Sequence, residues 1–284
     1  MLRLVLSALT AAPLLLASYS HALDQAPIPD GVIARASSGD IVEAVLIGKT
    51  TRYRHFVLGS DHEAAGLRVK TADGKTLVLM LPQDSVFEDR EPRIADLDGD
   101  GRNEVVTIRS RLTTGSALAV LGLRDGKLAI LAESPPNGAA NRWLNPSSIG
   151  DFLGNGKKQI AMVRMPHVVG RLEFWAFDGK MLTLRGSFGG TSNHRIGTKT
   201  LNLSAVLPRP APRGDLLAIP SLDRQTLRIV AALPSPREVA SYRLDGEAGG
   251  KFAVRKAAGG FVVAVPLRGG GKQDVVIGAD VLAR

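Results

Sequence analysis

The stretch 93–110, RIADLDGDGRNEVVTIRS, sets Asp96, Asp98 and Asp100 at alternate positions, followed by Gly101 and Glu104. Three like charges this close repel one another unless a cation sits among them. Alternate residues of a curled loop face one centre, and Gly101 permits the sharp turn that this needs. Carboxylates from Asp96, Asp98, Asp100 and Glu104, with the main-chain carbonyl of Arg102, would supply at least five oxygens. Calcium takes about six to eight oxygens at flexible distances, whereas magnesium demands stricter geometry and zinc prefers nitrogen and sulfur. The spacing therefore predicts one structural Ca2+, with water or a bidentate carboxylate completing its shell. An EF-hand loop would need a glutamate at its twelfth position and flanking helices. Thr107 stands at that position, and strand-like runs flank the loop.

Catalysis finds little support elsewhere. The chain has no cysteine and no G-x-S-x-G elbow, and its 5 histidines are scattered. No catalytic residue is assigned. Asp61, His62 and Glu63 are adjacent, and adjacent side chains on an extended chain point in different directions, so they read as a solvated loop. RGGGKQD at 268–274 lacks the second half of a phosphate-loop pattern and a following helix, so it reads as a turn. FGGTSNH at 188–194 reads as a flexible glycine-rich link, and EDRE at 88–91 as rim surface. Sugar sites usually stack rings on aromatic faces, and the candidates are Trp143, Trp175, Tyr53 and Tyr242. Trp175, inside LEFWAF, is expected to pack in the core.

The elements that must position the acidic loop repeat along the chain. DGK recurs at Asp73, Asp125 and Asp178, with spacings of 52 and 53. Each copy stands between two apolar runs, and Asp-Gly so placed is a strong hairpin signal, because a type I′ turn needs positive φ at both central residues. A second series, EVVTIRS, QIAMVRM, DLLAIPS and DVVIGAD, begins at Glu104, Gln159, Asp215 and Asp274, each after a turn-rich segment. Four strands in just over fifty residues suit a propeller blade better than a solenoid coil. The expected units are 38–92, 93–143, 144–197, 198–245 and a truncated 246–284. Pairing that truncated unit with a strand at 28–37 would close a five-bladed, four-stranded all-β ring between the chain's two ends. An open two-sheet sandwich is the alternative.

The D-x-D-x-D-G-x-x-E loop between two strands, together with the repeat period, resembles the FG-GAP/VCBS repeat family. That resemblance implies an integrin-α-like β-propeller whose loops join the first two strands of a blade. Glu104 stands where the family has aspartate, and still supplies oxygen. The resemblance covers most of the mature chain by period, but the motif is intact once. The second loop (Asp151, Leu153, Asn155, Gly156, Gln159) keeps one carboxylate, the third keeps only Asp215, and the last carries Arg268 beside Asp274. None of the three is expected to hold an ion. Propellers of this family occur in polysaccharide lyases and lectins, which keeps a carbohydrate function open.

The opening MLRLVLSALTAAPLLLASYSHA has one early cation, Arg3, an apolar stretch and small residues at Ser20 and Ala22. It reads as a signal peptide, 1–22, leaving 23–284 as a single mature domain. Pro13 and the shortness of the stretch argue against a membrane anchor, and no later run is long enough to span a bilayer. An exported chain without cysteine must be stabilised by its core and by metal rather than disulfides. Formal net charge is +9, read as general surface bias. The basic residues are scattered singly, which does not suit nucleic acid. The expectation is a periplasmic or secreted monomer acting as a non-catalytic interaction scaffold for a protein or glycan. The alternative is a protein that binds or cleaves carbohydrate.

Overall fold

The computed structural model describes residues 25–284; the signal-peptide reading of 1–22 lies outside them. The chain is all-β, arranged as antiparallel strands with one terminal helical turn, α1 (Ala279–Ala283). A first unit contains β1 (Ala34–Arg35), β2 (Ile41–Thr50), β3 (Glu63–Thr71) and β4 (Thr76–Met80). The short β5 (Ser85–Phe87) pairs with both β3 and β7 (Glu104–Arg111). It thereby joins the first unit to a second, made of β6 (Arg93–Ala95), β7, β8 (Gly115–Arg124) and β9 (Lys127–Glu133), in one nine-stranded sheet.

Two four-stranded sheets follow, one of β10 (Leu144–Gly150), β11 (Gln159–Arg164), β12 (Arg171–Phe177) and β13 (Leu182–Phe188). The other holds β14 (Ala205–Leu207), β15 (Leu216–Pro220), β16 (Thr226–Ala231) and β17 (Arg237–Arg243). A three-stranded sheet of β18 (Ala253–Ala257), β19 (Gly260–Pro266) and β20 (Lys272–Ile277) ends the series. No helix of the described residues is long and apolar enough to cross a membrane.

Side-chain alternation explains why these strands are apolar on both faces. Successive residues of a strand point to opposite sides of its sheet. On β11, Ile160 and Met162 enter a core shared with the second unit, while Ala161 and Val163 enter one shared with the fourth. On β15, Leu217 and Ile219 join that latter core, and Leu216 and Ala218 join another shared with β19 and β20. The first and second units share a fourth core around Leu46, Leu67 and Leu121. Every interior sheet is thus buried between two neighbours, which is why no polar alternation marks its strands.

The proposed pairing of 28–37 with the last unit is corrected. Ala34 and Arg35 pair instead with Ala44 and Glu43, and Pro27 bridges Ile47, so this segment is the first strand of the first unit. A five-residue turn closes that pairing locally, at far less loop-closure entropy than a partner roughly two hundred residues away. Among the described residues, no strand pairing or buried cluster joins the first unit to the last. The expected alignment of DVVIGAD also shifts by one strand. β20 is the third strand of its sheet, and the glycine-rich turn 267–271 joins second to third strand.

This order sorts the connections into two faces. In an antiparallel meander, turns alternate between the two ends of the strands. The loop 96–103 and the Asp-Gly turns at Asp125 and Asp178 lie at one end. The turns 165–170, 221–225 and 267–271 lie at the other, with the links between units. Of the three Asp-Gly turns, only Asp125–Gly126 has positive φ at both residues (51° and 71°), the type I′ requirement.

Candidate metal centre and the opposite face

β6 and β7 carry the acidic loop. Ala95 pairs with Glu104, so the loop starts and ends on adjacent hydrogen-bonded positions. Asp96 accepts from the main-chain N–H groups of Gly99 (2.7 Å) and Gly101 (3.0 Å), which curls the chain around its carboxylate. Gly99 and Gly101 take φ of 80° and 85°, a region that disfavours a side chain. Glu104, buried on β7, accepts from Leu97 N–H at 2.9 Å. The outcome is that ligand oxygens of Asp96, Asp98 and Glu104 lie within 4.8 Å of one another.

Asp100 and Arg102 are placed differently from the other three. The Asp100 carboxylate accepts from Arg102 N–H (2.8 Å), Nε (3.0 Å) and Nη2 (2.9 Å), forming a local ion pair. That pairing holds the Asp100 carboxyl below its usual value, the Arg102 main-chain N–H being the largest influence. Asp96, Asp98 and Glu104 form no ion pair among the described residues. Burial pushes the Glu104 carboxyl up to about 7, and the charges of Asp98, Asp100 and Asp96 add to the rise. Three converging acidic groups, one buried and none neutralised, form a donor set that suits a hard divalent cation.

The next loop of the same build is a direct comparison. Asp151 accepts from Asn155 N–H (3.0 Å) and Gly156 N–H (2.8 Å), as Asp96 does from its glycines. Gln159, at the position of Glu104, accepts from Leu153 N–H at 2.9 Å. Its amide nitrogen then donates to the Lys157 carbonyl at 3.1 Å and reaches Asn155 Oδ1 at 3.4 Å. A neutral donor thus fills this loop from within. In the following unit, Asp215 turns away to accept from Asp151 N–H (2.9 Å) and Arg209 N–H (3.1 Å). Asp274 lies between Arg255 and Lys272.

The loop is held between neighbours. Asn103 N–H donates to Asp40 Oδ1 (2.8 Å) and its amide to Ile41 O (2.9 Å), both in the first unit. On the other side Gly179, in the third unit's hairpin, approaches so closely that a Cβ there would lie 2.8 Å from Asp98 Oδ2.

Several segments expected at the surface are internal. Glu88, Asp89 and Arg90 are buried. Glu88 receives His55 Nδ1 (2.5 Å), Ser110 Oγ and Ser116 Oγ (3.1 Å), while its main-chain carbonyl accepts from Trp143 Nε1 at 2.9 Å. Thr191, Ser192, Asn193 and His194 are fully buried, so 188–194 is a packed connection. His62 and Glu63 are buried too, and they diverge: His62 bonds Asp61 and Pro29 O, while Glu63 accepts from His55 N–H. Trp175 packs in the core as expected.

At the face opposite the acidic loop lie two adjoining cavities that share His167 and Ile196. The larger, about 440 Å3, is lined by Trp143, Met165, Val168 and Val169, with His55, Asn141 and Arg142 completing it; the smaller, about 250 Å3, by Arg195, Arg224, Arg268 and Glu247. His194 Nε2 lies 2.9 Å from the Thr198 carbonyl, which only accepts, so Nε2 carries the proton and Nδ1 is bare. His167 Nε2, 2.8 Å from that Nδ1, must then donate, which leaves the His167 Nδ1 lone pair without a partner among the described residues. Burial first, then neighbouring positive charge, lowers His167 to about 4; burial lowers His194 to about 3. Both rings stay neutral near pH 7. No sequence pattern singled out His167, Arg195, Ile196 or Arg224, while His194, Arg268 and Trp143 lie in segments weighed as a glycine-rich link, a turn and a sugar-stacking candidate. Their signal was positional: His167, Arg224 and Arg268 occupy the second-to-third-strand turns of three successive units.

No family model matches this chain, and no curated protein matches it in sequence. Among solved structures it is similar to rhamnogalacturonan lyase YesW, at 14% identity and a TM-score of 0.50, covering 91% of this chain and 52% of that one. Exotype rhamnogalacturonan lyase YesX is similar at 13% identity and a TM-score of 0.43, with 91% and 59% covered. The chain therefore spans just over half the length of either enzyme. At such identity the likeness to YesW concerns the fold alone.

Proposed function

We propose that this chain is an exported β-propeller of the FG-GAP/VCBS type, stabilised by one calcium ion and acting as a non-catalytic interaction scaffold. The observation that carries this reading is the contrast between two loops of the same build. One ends in Gln159 and is filled by its amide; the other ends in Glu104 and gathers three acidic groups that receive main-chain N–H groups but no side-chain donor among the described residues. Asp96, Asp98 and Glu104 would hold the ion, with the Arg102 carbonyl and Asp100 contributing if the Asp100–Arg102 pair opens. The ion would neutralise the carboxylates and pin β6 to β7 between the first and third units. Five units of related strand order support the propeller, and the sequence of the first 22 residues supports export to a periplasm or the medium.

The test is calcium titration calorimetry on the mature chain, followed by a glycan array at low and moderate salt. Calcium uptake without specific glycan binding supports the scaffold. No uptake at millimolar calcium overturns the metal assignment.

The second reading, a protein that binds or cleaves carbohydrate, is favoured by the fold likeness to a polysaccharide-cleaving enzyme. Salt-resistant binding to one glycan, or release of new chain ends from a polysaccharide, would establish it over the scaffold.

A further inference from the structure

We infer that the paired cavities at the face opposite the acidic loop bind an amphipathic carboxylate: an anionic head on the arginines and an acyl tail along the apolar wall. The inference goes beyond the scaffold reading and does not depend on the calcium site.

The head site is built from charge. Glu247 accepts from Arg224 Nε (2.7 Å), Arg195 Nη1 (3.0 Å) and Arg268 Nη1 (3.3 Å). Burial acts to raise its carboxyl, but the three guanidinium groups hold it below its ordinary value. One carboxylate cannot balance three cations, so the cluster keeps a surplus of positive charge. Arg195 and Arg268 each commit only Nη1, and their other guanidinium nitrogens have no partner among the described residues. Guanidinium groups with free N–H pairs match a carboxylate's two oxygens.

The tail site adjoins it across His167 and Ile196. Val168, Val169 and Ile196 are 75%, 46% and 63% exposed, an unusual grouping of aliphatic side chains on one rim, and Met165 extends their surface inward. A neutral His167 separates the two halves. Its bare Nδ1 would repel a carboxylate, which keeps the head on the arginine side. An acyl chain suits the larger cavity better than a peptide end. Every peptide unit would bring N–H and C=O groups needing partners, and the wall formed by Met165, Val168, Val169 and Ile196 has no side-chain donor to meet them.

Isothermal calorimetry with sodium octanoate, at constant calcium, tests the inference. One-to-one saturable binding is expected, weakening as salt rises, with no uptake of 1-octanol. The Arg195→Gln/Arg268→Gln pair should weaken binding at least tenfold, and Ile196→Asp should do likewise. All three positions are at least partly exposed, so an unchanged melting temperature certifies that each variant is folded. No saturable octanoate binding, or equal binding by the arginine pair variant, overturns the inference. Binding of acetyl-alanyl-leucine in place of octanoate also overturns it, in favour of a peptide C-terminus. None of these outcomes alters the calcium titration, so the two readings fail separately.

Discussion

Gln159 Nε2 donates to the Lys157 carbonyl at 3.1 Å, whereas Glu104, at the same place in the loop before it, has no N–H of its own to donate. The two residues hold equivalent places on β11 and β7, and each accepts from a main-chain N–H near its loop's start. Three changes, Leu153 for Asp98, Asn155 for Asp100 and Gln159 for Glu104, thus separate a loop that closes on itself from one that gathers acidic groups.

Exchange of the Glu104 carboxylate for an amide should therefore weaken that gathering. Glu104→Gln should fold without calcium and lose any calcium-dependent rise in melting temperature. Asp98→Ala should lose the rise as well, whereas Asp151→Ala should keep it. Selective binding to the folded state adds about 2.7 kcal/mol at a hundredfold excess of ion over Kd. Differential scanning fluorimetry with calcium and with magnesium reads this directly. A calcium response that survives in Glu104→Gln would place the ion elsewhere.

The repeat and the acidic loop were legible because both rest on local chemistry. Asp-Gly at Asp73, Asp125 and Asp178 marks hairpins wherever it separates apolar runs, and alternate aspartates mark a loop. The assignment of units at the ends was less legible. DVVIGAD resembles a second strand in composition, yet its place is decided by β18, a short and largely exposed strand with little apolar signal. The cavity face was invisible for a related reason. Apart from His55, its residues come from turns of three units and three links between units, and no local pattern announces that His167, Arg195, Arg224 and Arg268 converge. Glu88 and Asn193 read as polar loop residues because their partners are far away in the chain.

A buried ion pair in the third unit should prove sensitive to truncation. Glu173, on β12, receives Arg164 at 2.8 and 3.0 Å, Arg171 Nε at 2.9 Å and Trp175 Nε1 at 3.0 Å. Glu173→Ala would leave the buried Arg164 uncompensated, which costs about 3–5 kcal/mol. Chemical denaturation should show this loss. A change below about 1 kcal/mol would mean that the pair relaxes into solvent.

Packing between units gives a second stability test. Leu118 on β8 is fully buried in the core between the second and third units. Leu118→Ala should cost about 2–5 kcal/mol, the range for a buried leucine whose cavity cannot collapse. Leu184, 45% exposed on β13, is the control, and Leu184→Ala should change stability by less than about 1 kcal/mol. Equal losses at the two sites would contradict the stacking of the sheets.

The histidine pair fixes a pH dependence whose direction follows from linkage. Folded His167 and His194 titrate near 4 and 3, against an ordinary value of 6.5. Below pH 6.5 the unfolded chain takes up protons that the folded chain refuses, so lower pH favours unfolding. The stability these two rings contribute is full above the unfolded value and declines as pH falls from 6.5 through about 4 for His167 and about 3 for His194. Groups facing the pair set the depth of that decline. Burial dominates, with the Arg224 charge acting on both rings, His55 on His167, and the Thr198 carbonyl opposing the shift at His194. Glu104 and Glu63, both raised mainly by burial, contribute in the other sense, losing stability as pH rises. Melting temperatures of the wild type should therefore fall between pH 7 and pH 4.5, and His194→Gln, which cannot titrate, should flatten that fall. Parallel curves for the two proteins would mean that the rings gain protons as freely in the folded state as in the unfolded one.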